Sequence, residues 1–213
     1  MNLNNYDYII PIGSNCRISM ALRDLNLRKL AFPLDWTLTS SKSVYESFKD
    51  NFENFMDQES CIEQNLKHIV DFQHVLNVQY DVNITHEPQI SPEAILKYKR
   101  KVDNLHRALS TSKRILLIRN MLDEGMSDVL HVDIALKEHS QGRTHYDLEW
   151  IYKTKDLIDE RYSNLKVDLL VIYFNKDSIS ETRLDVEYRT SNVPKVGKEW
   201  DRYACIDVLK GMM

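Results

Sequence analysis

Three runs of almost unbroken apolar residues, 8–12, 115–118 and 169–174, constrain this chain more than any other feature. A strand with one face in water alternates apolar and polar residues, whereas a strand apolar throughout must be covered on both faces. Between these runs lie segments with helical spacing. Ile18, Ala21, Leu22 and Leu25 share a face, as do Ile95, Tyr98, Val102, Leu105 and Leu109, and then Leu148, Ile151, Ile158 and Tyr162. Buried strands alternating with amphipathic helices predict an α/β fold, a three-layer sandwich on a mainly parallel sheet. No stretch rich in Gly, Ser or Pro divides the chain, so residues 1–213 read as one domain.

Further elements follow from local signals. Thr39-Ser40-Ser41 suits the cap of a helix over 43–56, with Val44, Phe48, Phe52 and Phe55 on one side. Residues 68–72, 75–80 and 82–86 are rich in Val and Ile and predict short strands or a hairpin region. Ser91-Pro92-Glu93 is a strong helix start, with proline at the first helical position. The pattern also predicts a helix over 127–139, one over 146–162, a strand within 182–189 and a short helix over 200–209.

The first apolar run ends in Gly13-Ser14-Asn15-Cys16. Gly, Ser and Asn are turn residues, and Ser14 and Asn15 suit N-capping, which puts Cys16 at about the first helical position. A thiol there feels the positive end of the helix dipole and nearby N–H donors, both of which favour the nucleophilic thiolate. The plainer reading is a simple turn with Cys16 as a small buried residue. In an α/β sheet the reactive positions lie at the carboxyl ends of strands, so Gly13–Cys16, Arg119-Asn120 and Asn175-Lys176 are expected on one rim.

Composition narrows the function. The chain carries 28 Lys and Arg against 32 Asp and Glu, a net charge of −4, with the charges interspersed. Nucleic acid is therefore not an expected partner. Cys16, Cys61 and Cys205 are far apart and form no Cys-x-x-Cys pair, which argues against a disulfide framework or a thiolate zinc site. No apolar run is long enough to cross a membrane, and residues 1–5 do not open a signal peptide, so a cytoplasmic protein is expected. His68, Asp71 and His74 are spaced by threes, but the pattern around them is not helical, and no metal is expected. Gly13 stands alone in its turn, without either phosphate-loop fingerprint.

A thiol nucleophile needs a base, and the base needs a group to orient it. Of seven histidines, His86 has the best context, after an apolar strand and before Glu87-Pro88. His106, His131 and His139 lie in charged helical segments and read as solvated. Asp35, within Phe32-Pro33-Leu34-Asp35-Trp36, must find a partner if it is buried among such neighbours. It reads either as an anchor for nearby backbone or as an orienting carboxylate for a histidine.

Ile12-Gly13-Ser14-Asn15-Cys16, Ala21-Leu22-Arg23, Leu27-Arg28, the Phe32–Trp36 block and His86 together resemble a family of putative papain-like cysteine peptidases found in bacteria and large DNA viruses. That family opens with Gly-Ser-Asn-Cys and has a Pro-Phe-Asp-Trp block, where this chain has Leu34 in place of Phe. The resemblance implies Cys16 as nucleophile, His86 as general base and Asp35 as its orienter. A nucleophile on the turn after the first strand is also similar to esterases and acyl hydrolases with a Gly-Asp-Ser motif. Capsule-biosynthesis proteins that carry an Asn-Cys turn and bind coenzyme A share that likeness.

The expectation is thus a thiol-dependent acyl-transfer enzyme, most simply a hydrolase of peptide, amide or ester bonds that needs no cofactor. The turn at Gly13, Ser14 and Asn15 would supply the oxyanion hole. Arg119 would bind a substrate anion at the rim or form a structural ion pair, and Trp36 would wall the pocket or pack in the core. The alternatives are an acyltransferase acting on a glycan or small molecule with coenzyme A as co-substrate, and a binding module that has kept the fold.

Overall fold

The computed structural model describes residues 1–65, 73–120, 148–173, 182–191, 193 and 200–213. Strands β1 (Tyr8–Pro11), β6 (Arg114–Asn120), β7 (Lys166–Tyr173) and β8 (Val186–Thr190) form a parallel sheet in the order β1-β6-β7-β8. The three apolar runs are its first three strands. Their side chains alternate between two apolar cores, as the twofold period of a strand requires. Ile9, Leu116, Ile118, Leu170 and Ile172 pack with helices α1 (Arg17–Asp24) and α5 (Trp200–Lys210). Ile10, Ile12, Ile115, Leu117, Leu169 and Val171 share the other core with α2 (Ser41–Lys49), α3 (Pro92–Thr111) and α4 (Leu148–Arg161). The result is the three-layer α/β sandwich.

A second sheet adds to it. Strands β2 (Thr37–Thr39), β3 (Cys61–Asn65), β4 (Gln73–Asn77) and β5 (Val82–Ile84) pair antiparallel in the order β2-β5-β4-β3. The hairpin region expected over 75–86 is its β4–β5 pair, and Val75, Val82 and Ile84 turn into the larger core. The strand expected over 68–72 and the helix expected over 127–139 lie outside the described residues.

Local chemistry sets the element ends. Helix α1 stops at Asn26, whose φ of +56° lets the Leu27 N–H reach back to the Leu22 carbonyl at 2.8 Å. Helix α2 is shorter than its apolar spacing predicts. Arg161 donates to the carbonyls of Phe48 and Lys49, each at 2.7 Å, and to Asn51 Oδ1 at 2.8 Å, closing the helix at Lys49. Phe52 and Phe55 still join Phe48 in the core, but from a turn in which Asn51 and Phe52 have positive φ.

Helix α3 starts as expected. The Ser91 hydroxyl accepts the Ala94 N–H at 3.1 Å, with Pro92 at the first helical position. Ser91→Ala should lower stability by about 1 kcal/mol in urea denaturation, and Ser91→Gly by only a few tenths. Equal losses for the two variants would show that the cap is not what holds this helix start.

Candidate active site

The turn after β1 is locked from three sides. Gly13 has φ +79°, and a Cβ built on it would sit 1.8 Å from Thr39 Oγ1 and 2.8 Å from Arg119 Nη1. Only glycine meets both demands. The Thr39 N–H donates to the Ser14 carbonyl at 3.0 Å, an isolated bridge between the turn and β2. The Ser14 hydroxyl donates to the Asn120 carbonyl at 2.7 Å, and Asn120 Nδ2 donates to Asn15 Oδ1 at 3.0 Å.

Cys16 comes one residue earlier relative to the helix than expected: it is the N-cap residue of α1 rather than the first helical residue. The cause is an Asx turn in which Asn15 Oδ1 also accepts the Arg17 N–H at 3.0 Å. Cys16 is partly exposed, whereas Cys61 and Cys205 are buried. Burial pushes the Cys61 thiol up to about 11.

Cys16 opens into a cleft of about 940 Å³ that Trp36 and His86 also line. His86 follows β5 in a tight turn closed by the Glu87 N–H to the Ile84 carbonyl at 3.3 Å. Its ring meets Trp36 edge to face, with centroids 5.1 Å apart. The Thr85 hydroxyl donates to the Trp36 carbonyl at 3.2 Å, tying the two loops together. Partial burial, followed by the charges of Lys97 and Lys101, lowers the pKa of His86, with Glu87 opposing. Its neutral, proton-accepting form is thereby favoured.

Asp35 is fully buried. One oxygen, Oδ2, accepts the Phe32 N–H at 3.0 Å and an ion pair from Arg28, while Oδ1 has no hydrogen-bond partner. These bonds tie down the Phe32–Asp35 turn, put Phe32 and Leu34 in the core, and leave Trp36 half-exposed on the cleft wall. Asp35 makes no hydrogen bond to His86. Its ion-pair partner Arg28 has its guanidinium 5.9 Å from the Trp36 ring centroid. Burial raises the Asp35 pKa, against the pull of Arg28.

Arg119, expected at the rim as a contact for a substrate anion or in an ion pair, is fully buried under the turn. Its guanidinium donates to the Ile12 carbonyl at 2.9 Å, to Thr39 Oγ1 at 3.1 Å and to the Thr39 carbonyl at 2.9 Å. Its partners are neutral oxygens rather than a carboxylate. Burial pulls its pKa down to about 9, which still leaves it charged at neutral pH. Asn175 and Lys176 lie outside the described residues.

The sequence reading missed one wall of the cleft. Lys97, Arg100 and Lys101 face it from α3, at i, i+3 and i+4. That spacing was visible in the sequence, but it reads as a solvated helix face until the cleft opposite it is known. Lys101 is 5% exposed, its ammonium 3.8 Å from the Tyr98 ring centroid and, among the described residues, without a hydrogen-bond partner. Burial pulls its pKa down to about 8. The folded value lies below the unfolded one, so this cost to stability is complete below pH 8 and fades as the pH rises toward 10.5.

Among the described residues no three His, Cys, Asp or Glu side chains gather to hold a metal ion, and no helix is long and apolar enough to cross a membrane. No curated protein and no solved structure matches the chain. A family model described as "Putative papain-like cysteine peptidase (DUF1796)" matches residues 7–164, a stretch that includes Cys16, Trp36, His86 and the whole of α3. With well over half of its 213 residues matched, the chain belongs to this family.

Proposed function

We propose that the protein is a thiol-dependent acyl-transfer enzyme, in its simplest form a hydrolase of a peptide, amide or ester bond. One observation carries the reading: Cys16, at the start of α1, and His86 line the same cleft. A thiolate is the species that a helix N-terminus and nearby cations stabilise. Cys16 Sγ attacks the acyl carbon, and the proton passes through His86 to the leaving group. His86 then takes a proton from water, whose oxygen attacks the thioester and frees Cys16. Asn15 has both of its Oδ1 bonds in place, and its NH₂ donates no hydrogen bond among the described residues. That NH₂, with backbone N–H groups of the Gly13–Cys16 turn, is the proposed oxyanion hole, where one donor is worth about 3 kcal/mol of barrier.

Asp35 enters this scheme as a positioning residue: it holds Arg28 against Trp36, and Trp36 in turn packs on His86. The catalytic pair is then Cys16 and His86, with the ring of His86 held by packing rather than by a carboxylate. A second reading has the acyl group arriving on coenzyme A and passing to a glycan or small molecule. The cations of the cleft favour it, because that donor is a polyanion.

The test is the alkylation rate of each cysteine against pH, read by mass spectrometry in the parent and in His86→Ala. Cys16 should react far faster than Cys61 or Cys205, and His86→Ala should slow it by about tenfold or more at neutral pH. A lowered pKa keeps His86 able to accept a proton further into acid. With a turned-over substrate, the acid limb of kcat/KM should therefore lie below the ordinary imidazole value of about 6.5. A Cys16 no more reactive than a free thiol, or indifferent to His86, removes the reading.

A further inference from the structure

We propose that the cleft beside Cys16 contains a built subsite for a phosphate-type polyanion, seated between α1 and α3. The proposal deepens the acyl-transfer reading by naming its substrate class, and it rests on that reading only for the bond that is broken. Among the described residues six cationic side chains line the cleft, Arg17, Arg23, Arg28, Lys97, Arg100 and Lys101, against the single carboxylate of Asp103. Arg17 has a partner of its own, and Asp35 and Glu87 pair with Arg28 and Lys97; Arg23, Arg100 and Lys101, set against Asp103, still leave an excess of two positive charges among the described residues. They sit in one concavity of a chain whose net charge is −4. Low-dielectric walls focus such a field and raise the local concentration of an oppositely charged ligand.

Lys101 supplies the second, independent observation. It is 95% buried, yet among the described residues its ammonium has no hydrogen-bond acceptor and meets the face of Tyr98. Asp35 is close enough to couple to it electrostatically but forms no hydrogen bond with it. Buried ammonium groups are normally paired, and an unpaired one is a cost to the free protein. An anion seated on the lining supplies the missing acceptor. A carboxylate carries one charge, whereas a phosphate group carries about two, so the excess of two matches a phosphate group better than a peptide terminus. Trp36 borders the same space, with Arg23 and Arg28 at 5.5 and 5.9 Å from its ring centroid and His86 packed against its ring.

The test is calorimetric titration of sodium pyrophosphate into the full chain carrying Cys16→Ser, in phosphate-free buffer of low ionic strength. The same titration is run with Lys101→Met, Arg100→Ala and, as a remote exposed control, Lys210→Ala added. Binding should weaken by at least about tenfold with Lys101→Met, weaken measurably with Arg100→Ala, and be unchanged with Lys210→Ala. Lys101→Met removes an unpaired buried charge without changing side-chain length much. Its melting temperature in the absence of ligand should therefore equal or exceed the parent's, so that lost binding is not lost folding. No binding by the parent, or equal binding by parent and Lys101→Met, overturns the subsite. Coenzyme A titrated in parallel locates the anion: tighter binding than pyrophosphate puts it on the acyl donor, equal or weaker binding on the acceptor. Cys16→Ser has no thiol to test, so a failed titration leaves the alkylation result standing, and the reverse holds too.

Discussion

Arg119→Met should lower the stability of this protein by about 4 kcal/mol, since it orphans three buried acceptors at once and each costs about 1–3 kcal/mol. The acceptors are the carbonyls of Ile12 and Thr39 and the Thr39 hydroxyl. An opposing effect must be weighed, because methionine also removes a buried cation that no carboxylate neutralises. Replacing a buried charge by an apolar residue is often neutral when its partners leave with it. Here they stay, two of them backbone groups that cannot be mutated away, and the loss of hydrogen bonding wins. Arg119→Lys keeps the charge but lacks the planar fork that spans Ile12 and Thr39, and should recover about half of the loss. Denaturant midpoints at constant m-value measure both. A loss under about 1 kcal/mol in Arg119→Met would mean that the guanidinium is not what holds the turn.

Gly13→Ala should cost at least about 3 kcal/mol: about 1–2 from the left-handed backbone and the rest from a clash that no rotamer relieves. The added methyl lands 1.8 Å from Thr39 Oγ1 and 2.8 Å from Arg119 Nη1, so it pushes on the two groups that fix β2 to the turn. Pairing it with Thr39→Ala separates the two causes. If the oxygen is the main obstacle, the double variant should be more stable than Gly13→Ala alone, although Thr39→Ala by itself is destabilising. Simple addition of the two losses would place the cost in the φ of +79° instead. In either case Cys16 should lose its selective alkylation, because displacing Gly13 displaces the start of α1.

What the sequence made legible was local. Residues 8–12, 115–118 and 169–174 announce strands because their burial on both faces is written into every side chain. Ser91-Pro92 announces a helix because capping involves three neighbouring residues. Cys16 and His86 were found by what stands beside them: a turn before a helix, and the end of a strand. The rest depends on partners distant in the chain. The pairing of β2 with β5 joins residues 37–39 to 82–84, and no local pattern encodes it. The helix expected to run to 56 ends at Lys49 because Arg161, more than a hundred residues away, takes its last carbonyls. Arg119 sits at the end of an apolar strand, where a charged residue reads as a rim contact. Its burial follows from acceptors on Ile12 and Thr39 that only the fold brings together. The cationic wall escaped for the same reason, since Arg23 and Arg28 meet Lys97 and Arg100 only across the cleft.

The bridge between Ser14 and Thr39 makes the Gly13–Cys16 turn the seam where the parallel and antiparallel sheets are joined. In a lineage without the proposed chemistry, Gly13, Thr39 and Arg119 would stay under selection, because they hold the turn to β2. A Gly-Ser pair that survives at this turn in a distant relative is therefore a mark of architecture, whereas Asn15 answers both to the turn and to the proposed oxyanion hole. The side chain at 16, the ring at 86 and the charges facing them from α3 are the positions free to drift once the reaction no longer matters. Descendants that keep the proposed chemistry are told from those that do not by that second set.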